Sequence, residues 1–433
     1  MKSIILLVII IFNTNLLSAA EFLTYLESAY KSNPVLNASR ENYKVVNESV
    51  NISLSEFLPS VSISNSQNNQ QNSNRTNQAG GTLPDNSSNS KTQSVSINQK
   101  IFQGFQGYNS IKKSKLELSQ AALKLKNSEQ QILLQSATAY YDLIYKIKNT
   151  QFNLSNVDLF ERQVESDSSR LQKGEITLTD LAQSESSLAG ANAKLIAAET
   201  ELLTAKSNFE RIIRLPAPKI IIKDNFTKNI SLNFPTDLSS AFTASDKNNP
   251  KLLLAKLDYK ISEKNVDIEK SKFAPSASVN YTQSQNKDFS SSVNEIDQET
   301  LEAIVTIPLF KGGKNYSSLK KSKFKKKQTN LILQDTINEV KTDTVNSWSI
   351  YQSSESVLKA TQSQVKAAEI ANEGITLEYD SGNKRTTLEV IQSRTLLLDA
   401  RIGNAIAERN FAVSKFELLA IIGELTLENL KKI

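Results

Sequence analysis

From Asn109 to Lys173 the chain contains neither glycine nor proline, and this single stretch excludes most globular folds. Apolar residues recur through it at spacings of three and four, at Leu118, Ala122, Leu125, Ile132, Tyr140, Ile144 and Ile147, which is the period of a helix. About sixty uninterrupted helical residues reach about 95 Å at 1.5 Å per residue. A helix of that length outruns any globular core and implies a coiled-coil rod. Tyr316 to Tyr379 forms a second such stretch, with Gly374 as its only glycine and no proline. Each rod is expected to turn at a glycine, Gly174 or Gly382, and to return as a second helix, giving hairpins of helices at 107–173 and 177–214, and at 315–380 and 386–422.

The two hairpins belong to one unit written twice. Asn33-Pro34 recurs as Asn249-Pro250 and Pro59 as Pro275, both 216 residues on. Ile101-Phe102-Gln103-Gly104 is answered by Leu309-Phe310-Lys311-Gly312, and Lys112-Lys113-Ser114-Lys115 by Lys320-Lys321-Ser322-Lys323, now 208 residues on. Gln183-Ser184 answers Gln392-Ser393 at 209. The expected division is a first repeat at 21–214, a linker at 215–237 with Pro216, Pro218 and the apolar run Ile220 to Ile222, a second repeat at 238–425, and a tail at 426–433. The linker is expected to pack around the rods.

Ahead of each rod the period changes to two. Val61 and Ile63, then Val95, Ile97 and Ile101, alternate with Ser, Asn and Gln; Ala277, Val279 and Tyr281, then Leu301, Ala303, Val305, Ile307 and Leu309, repeat the pattern. Strands are expected at 60–67, 92–102, 276–285 and 299–309. One apolar and one polar face suits a wall between lipid and a wet lumen, although an amphipathic sheet in water shows the same alternation. Four strands cannot close a barrel and open edges in lipid are prohibitive, so several chains must share one; three would supply twelve strands. The polar runs Asn68 to Ser90 and Asn286 to Gln298 read as extracellular loops.

Lys2, the apolar run Ile4 to Phe12 and Ser18-Ala19-Ala20 read as a secretory leader occupying residues 1–20, with the mature chain starting at Glu21. An exported chain with a formal charge of +6 is not expected to bind nucleic acid. With no His and no Cys, imidazole catalysis, thiol nucleophiles, disulfides and CxxC metal sites are excluded. No GxSxG, GxxxxGK[ST] or GxGxxG motif is present, so neither an enzymatic activity nor a cofactor is expected.

The duplicated Asn-Pro starts, Pro59 and Pro275 ahead of strands, and Ile307-Pro308-Leu309-Phe310-Lys311-Gly312-Gly313 between strand and helix together resemble the TolC-type outer-membrane efflux protein family. The resemblance runs over nearly all of residues 21–425. It implies an α+β membrane protein with four barrel strands and two long coiled-coil hairpins per chain. Three chains would form a 12-stranded β-barrel in the outer membrane, continued by a periplasmic α-helical barrel. The implied partners are two further copies of the chain, outer-membrane lipid, a periplasmic adaptor and an inner-membrane pump of RND or ABC type. The implied function is a passive conduit for efflux or type I secretion. A coiled-coil structural or adaptor protein of the envelope is the alternative; it would require the alternating segments to be soluble sheet.

The resemblance also places a gate at the hairpin turns. Thr179 and Asp180 fall at one set of gate positions, Tyr379 and Arg385 at the partner set, and Glu389 near a ring of acids in the pore, with Lys384 competing for the position of Arg385. Local chemistry offers a plainer role for the same residues: Asp180 as a helix cap, Gly174 and Gly382 as C-caps, Arg385 solvated. The lysines from Lys320 to Lys327 read as a solvated helix face, with contact to anionic lipid headgroups as the competing reading.

Overall fold

A computed structural model describes residues 22–218, 234–288, 293–381 and 385–431. The expected leader and its cleavage site, Ile220 to Ile222 of the linker, Gly382 and Lys384 lie outside the described residues. The chain divides into two compact units, one from Met1–Glu41, Leu123–Leu253 and Asp335–Ile433, the other from Asn42–Ala122 and Leu254–Gln334. The elements in chain order are α1 (22–32), α2 (Pro34–Ser55), β1 (Ser60–Asn72), β2 (Arg75–Thr76), β3 (Thr82–Leu83), β4 (Asn86–Gln103), α3 (Gln106–Gln172) and α4 (Leu178–Ile213). They continue with α5 (Leu238–Asn248), α6 (Pro250–Ser271), β5 (Ser276–Lys287), β6 (Glu295–Thr306), α7 (Lys314–Asp380), α8 (Thr387–Ile421) and α9 (Leu427–Lys431). No described helix is long and apolar enough to cross a membrane.

The second unit holds a four-stranded antiparallel sheet in the order β1-β4-β5-β6, so the repeats join at β4–β5 and leave β1 and β6 as its edges. Odd-numbered residues of all four strands, on β4 as far as Lys100, share one face. Val61, Ile97, Tyr281 and Leu301 form one apolar row across it, while the next row outward, Ile63, Val95, Gln283 and Glu299, is half apolar and half polar. A bulge between Lys100 and Phe102 re-registers β4 and sets Phe102 opposite Ala277.

All four strands depart from their expected bounds, β1 and β4 most. β1 runs to Asn72 and β4 starts at Asn86, so both ends of the polar run expected as a loop are strand, leaving residues 73–85, which hold β2 and β3, as the tip. Polar side chains hydrogen-bond across the ladder, with Asn72 Nδ2 donating to the directly opposed Asn86 Oδ1 at 3.0 Å and Gln67 Nε2 to Asn89 Oδ1, its diagonal neighbour, at 3.0 Å. A run polar on both faces carries no period-two contrast, which hides the strand. Likewise β5 reaches Lys287 and β6 starts at Glu295, whereas β6 stops at Thr306 because Pro308 has no N–H to add to the ladder.

In the first unit the core gathers around Phe22, whose ring lies 4.8 Å from Tyr140 and 5.9 Å from Phe416. Residues 426–433, expected as a tail, include α9, and Leu430 is buried in this core beside Leu425. The duplicated Asn-Pro starts acquire a physical reason here. Pro34 and Pro250 occupy first helical positions, where a missing N–H costs nothing. Asn33 Oδ1 accepts from Val35 N at 2.9 Å while its Nδ2 donates to the Ile212 carbonyl at 3.2 Å. Asn249 repeats the device, accepting from Leu252 N at 3.0 Å and donating to the Ile421 carbonyl at 2.8 Å. Each Asn therefore starts one helix and ties down the end of the returning helix of its own repeat.

Candidate gate at the hairpin turns

Both returning helices begin with the same local chemistry. Thr177 is the N-cap of α4 and Asp180 its third helical residue: Asp180 N donates to Thr177 Oγ1 at 3.3 Å, and Thr177 N donates back to Asp180 Oδ2 at 2.9 Å. Thr386 and Glu389 repeat this reciprocal box 209 residues on, with Thr386 N donating to Glu389 Oε2 at 2.8 Å. The Thr177 backbone and hydroxyl hold the Asp180 carboxyl below its ordinary pKa, and the Thr386 backbone, Arg385 and the Thr386 hydroxyl do the same for Glu389. Asp180 and Glu389 are thus repeat-related caps. Gly174 adopts φ +73° at the end of α3, where its N donates to the Leu171 carbonyl at 2.9 Å, a backbone that glycine supplies without strain.

Arg385 is held between two carboxylates, Nε on Glu378 Oε2 at 2.6 Å and Nη1 on Glu389 Oε1 at 2.9 Å, and these partners raise its pKa. It remains exposed, as does Thr179 on the first turn of α4. Tyr379, in contrast, is buried at 5% exposure. Its hydroxyl donates to Asp167 Oδ1 at 2.8 Å and lies 3.1 Å from Thr387 Oγ1. Burial, ahead of the Asp167 contact, raises the Tyr379 pKa. Within one chain, then, neither Tyr379 nor Arg385 meets Thr179 or Asp180; Tyr379 instead joins the second hairpin to Asp167 of the first.

Asp167 escaped the sequence reading. It is fully buried, and it also accepts from Gln163 Nε2 at 2.9 Å and from Ser184 Oγ at 2.5 Å, so both carboxylate oxygens are engaged. The repeat position 208 residues on is Ile375, and that break in the duplication was the available signal. Arg394 adds a second link, Nη1 donating to the Leu159 carbonyl at 3.1 Å, and Arg170 lies 4.5 Å from the centre of the Tyr379 ring. Burial lowers the Arg394 pKa, opposed by Asp380, Asp167 and Tyr379. The hairpin ends can therefore carry charge-assisted hydrogen bonds from exposed Arg385, Thr179 and Asp180, while Tyr379 and Asp167 fix one hairpin to the other.

Residues 25–213 and 244–424 match the family described as outer membrane efflux protein, one segment in each repeat. The chain is 25% identical over 406 residues to the outer membrane efflux protein BepC of Brucella suis biovar 1, covering 94% of this chain and 86% of that one. It is 23% identical over 338 residues to the outer membrane protein TolC of Vibrio cholerae, covering 77% and 76%. Among solved structures, the Campylobacter jejuni CmeC outer membrane channel shares the fold at a TM-score of 0.81 with 14% identity, covering 94% of this chain and 86% of that one. With both repeats matched and the sheet-plus-hairpin architecture shared, the chain belongs to the outer membrane efflux protein family.

Proposed function

We propose that three copies of the chain close one twelve-stranded barrel and conduct solutes passively outward, handed on by a periplasmic adaptor and an inner-membrane pump. The observation that carries this reading is the sheet: four strands, one apolar face and two edges, β1 and β6, whose backbone groups lipid cannot satisfy. Joining β6 of one chain to β1 of the next removes every edge. At the hairpin turns, Arg385 of one chain faces Thr179 and Asp180 of its neighbour and closes the tunnel, while Tyr379 and Asp167 hold the hairpins of each chain together. Each exposed link is weak because solvent screens it, so closure depends on its repetition around the trimer.

Light scattering of the detergent-solubilised protein should give the mass of three chains; a stable folded monomer overturns the shared barrel. In reconstituted bilayers, Arg385→Ser with Tyr379→Phe should raise single-channel conductance at unchanged trimer yield. Unchanged conductance, or opening by Lys384→Ser alone, would show that the gate lies elsewhere.

A further inference from the structure

Residues 311–334 contain eight lysines and no acidic residue, more positive charge than the +6 of the whole chain. Part of this run is duplicated: Tyr108, Lys112 and Lys115 on the first turns of α3 recur 208 residues on as Tyr316, Lys320 and Lys323 on α7. Lys112 lies 4.3 Å from the centre of the Tyr108 ring and Lys320 5.9 Å from that of Phe324. Among the described residues, no carboxylate pairs with Lys115, Lys320 or Lys323, although Lys113 and Lys326 beside them are paired with Glu117 and Glu263.

The side of the helix that carries this stripe follows from what the opposite side touches. Lys314, Asn315 and Ser318 line a cleft of about 560 Å³ together with Lys100, Ser276, Ser278 and Thr306, the even-numbered polar face of the sheet. At 100° per residue, Tyr316, Lys320 and Lys323 lie about 130–195° around α7 from the mean direction of those residues, on the side of the odd-numbered apolar face. Lys320 and Lys323 stand about 9–14 Å along the axis from the start of α7, just beyond Leu309 and Phe310, which are 93% and 84% exposed where the apolar band ends. The polar zone of a bilayer occupies that depth, and lysine stems reach back toward it.

We propose that this repeated Tyr-Lys stripe binds the phosphate groups of anionic phospholipids in the leaflet facing the periplasm. The inference rests on the barrel reading above. Lysines unmatched by carboxylates complement a negative headgroup layer, each adding to the attraction, while tyrosine suits the boundary between hydrocarbon and water. Six stripes in a trimer would hold the channel at a fixed depth.

Native mass spectrometry of the full-length protein, delipidated and then given phosphatidylglycerol or phosphatidylethanolamine, tests the proposal. The wild type should retain several-fold more phosphatidylglycerol per chain. The variant Lys112→Gln/Lys115→Gln/Lys320→Gln/Lys323→Gln should retain the two lipids equally, and Lys91→Gln/Lys287→Gln, at the far end of the strands, should keep the wild-type preference. A wild type without preference, a quadruple variant that keeps it, or loss of it in the far-end variant overturns the lipid site. The oligomer mass in the same spectra reports on the shared barrel separately, because lipid is counted per chain whatever that mass is.

Discussion

The Tyr379 hydroxyl, at the end of one hairpin, donates to the fully buried Asp167 carboxylate in the other across 2.8 Å. Tyr379→Phe leaves that carboxylate short of one donor without emptying the site, at a cost of about 1–3 kcal/mol. The loss should be local. Hydrogen exchange should quicken in the last turns of α7 and the first of α8, with the core around Phe22 unchanged. The raised Tyr379 pKa sets a pH window as well. A raised value favours the protonated folded form, so the link is fully present below the ordinary tyrosine value of about 10 and is lost as pH rises through the raised one. Difference titration of tyrosinate absorbance, wild type minus Tyr379→Phe, should show this residue ionising above the ordinary tyrosine value.

The caps of the returning helices respond in the opposite sense. Asp180 and Glu389 have lowered values, so their contribution is present above the ordinary carboxylate range and disappears as pH falls through the lowered values, below about 4. Amide exchange at the starts of α4 and α8, corrected for its intrinsic pH dependence, should increase between pH 6 and pH 3. Thr177→Ala should cost about 1 kcal/mol at neutral pH and make the start of α4 less sensitive to acid.

Asn249 both caps a helix and bridges to Ile421. Asn249→Ala should lower stability by about 2 kcal/mol, the sum of a lost cap and an unpaired, part-buried carbonyl. Asn249→Asp keeps the capping acceptor but loses the donor to Ile421. Thermal unfolding of the assembled protein should place Asp between wild type and Ala; an Asp variant equal to wild type would mean that the bridge contributes nothing.

Gly104 and Gly312 occupy repeat-related positions with φ +58°, yet only one is crowded. A Cβ on Gly104 would sit 2.5 Å from the Ser271 carbonyl oxygen, whereas one on Gly312 would meet open space. Gly312→Ala should cost only the left-handed backbone penalty of about 1–2 kcal/mol. Gly104→Ala should cost several times more and reduce the yield of folded protein, measured as heat-resistant oligomer in membranes.

Periodicity made the rods and the duplication legible, because a helix of that length imposes its pattern on every residue. The apolar rows were legible where Val61, Val95, Tyr281 and Leu301 alternate with polar neighbours. The outer halves of β1 and β4 were not, since Asn65 to Asn72 is polar on both faces and its pairing shows only when the partner strand is present. Asp167 was hidden for a related reason: one acidic residue among many on a long helix looks solvated until Ser184 and Tyr379 close over it. The capping role of Asp180 could be read from spacing alone, whereas the burial of Tyr379 could not.

The row of opposed residues Ile63, Val95, Gln283 and Glu299 is apolar at one end and polar at the other. The edge of the apolar band therefore comes two residues earlier on β5 and β6 than on β1 and β4, and the band crosses the ladder obliquely. Hydrocarbon ends at a level plane, so the strands must lean relative to the membrane normal, as closure of a barrel demands. The slant of the assembled wall is already written into which neighbours in a single chain are valine and which are glutamate, and residues that face one another across this sheet do not lie at the same depth.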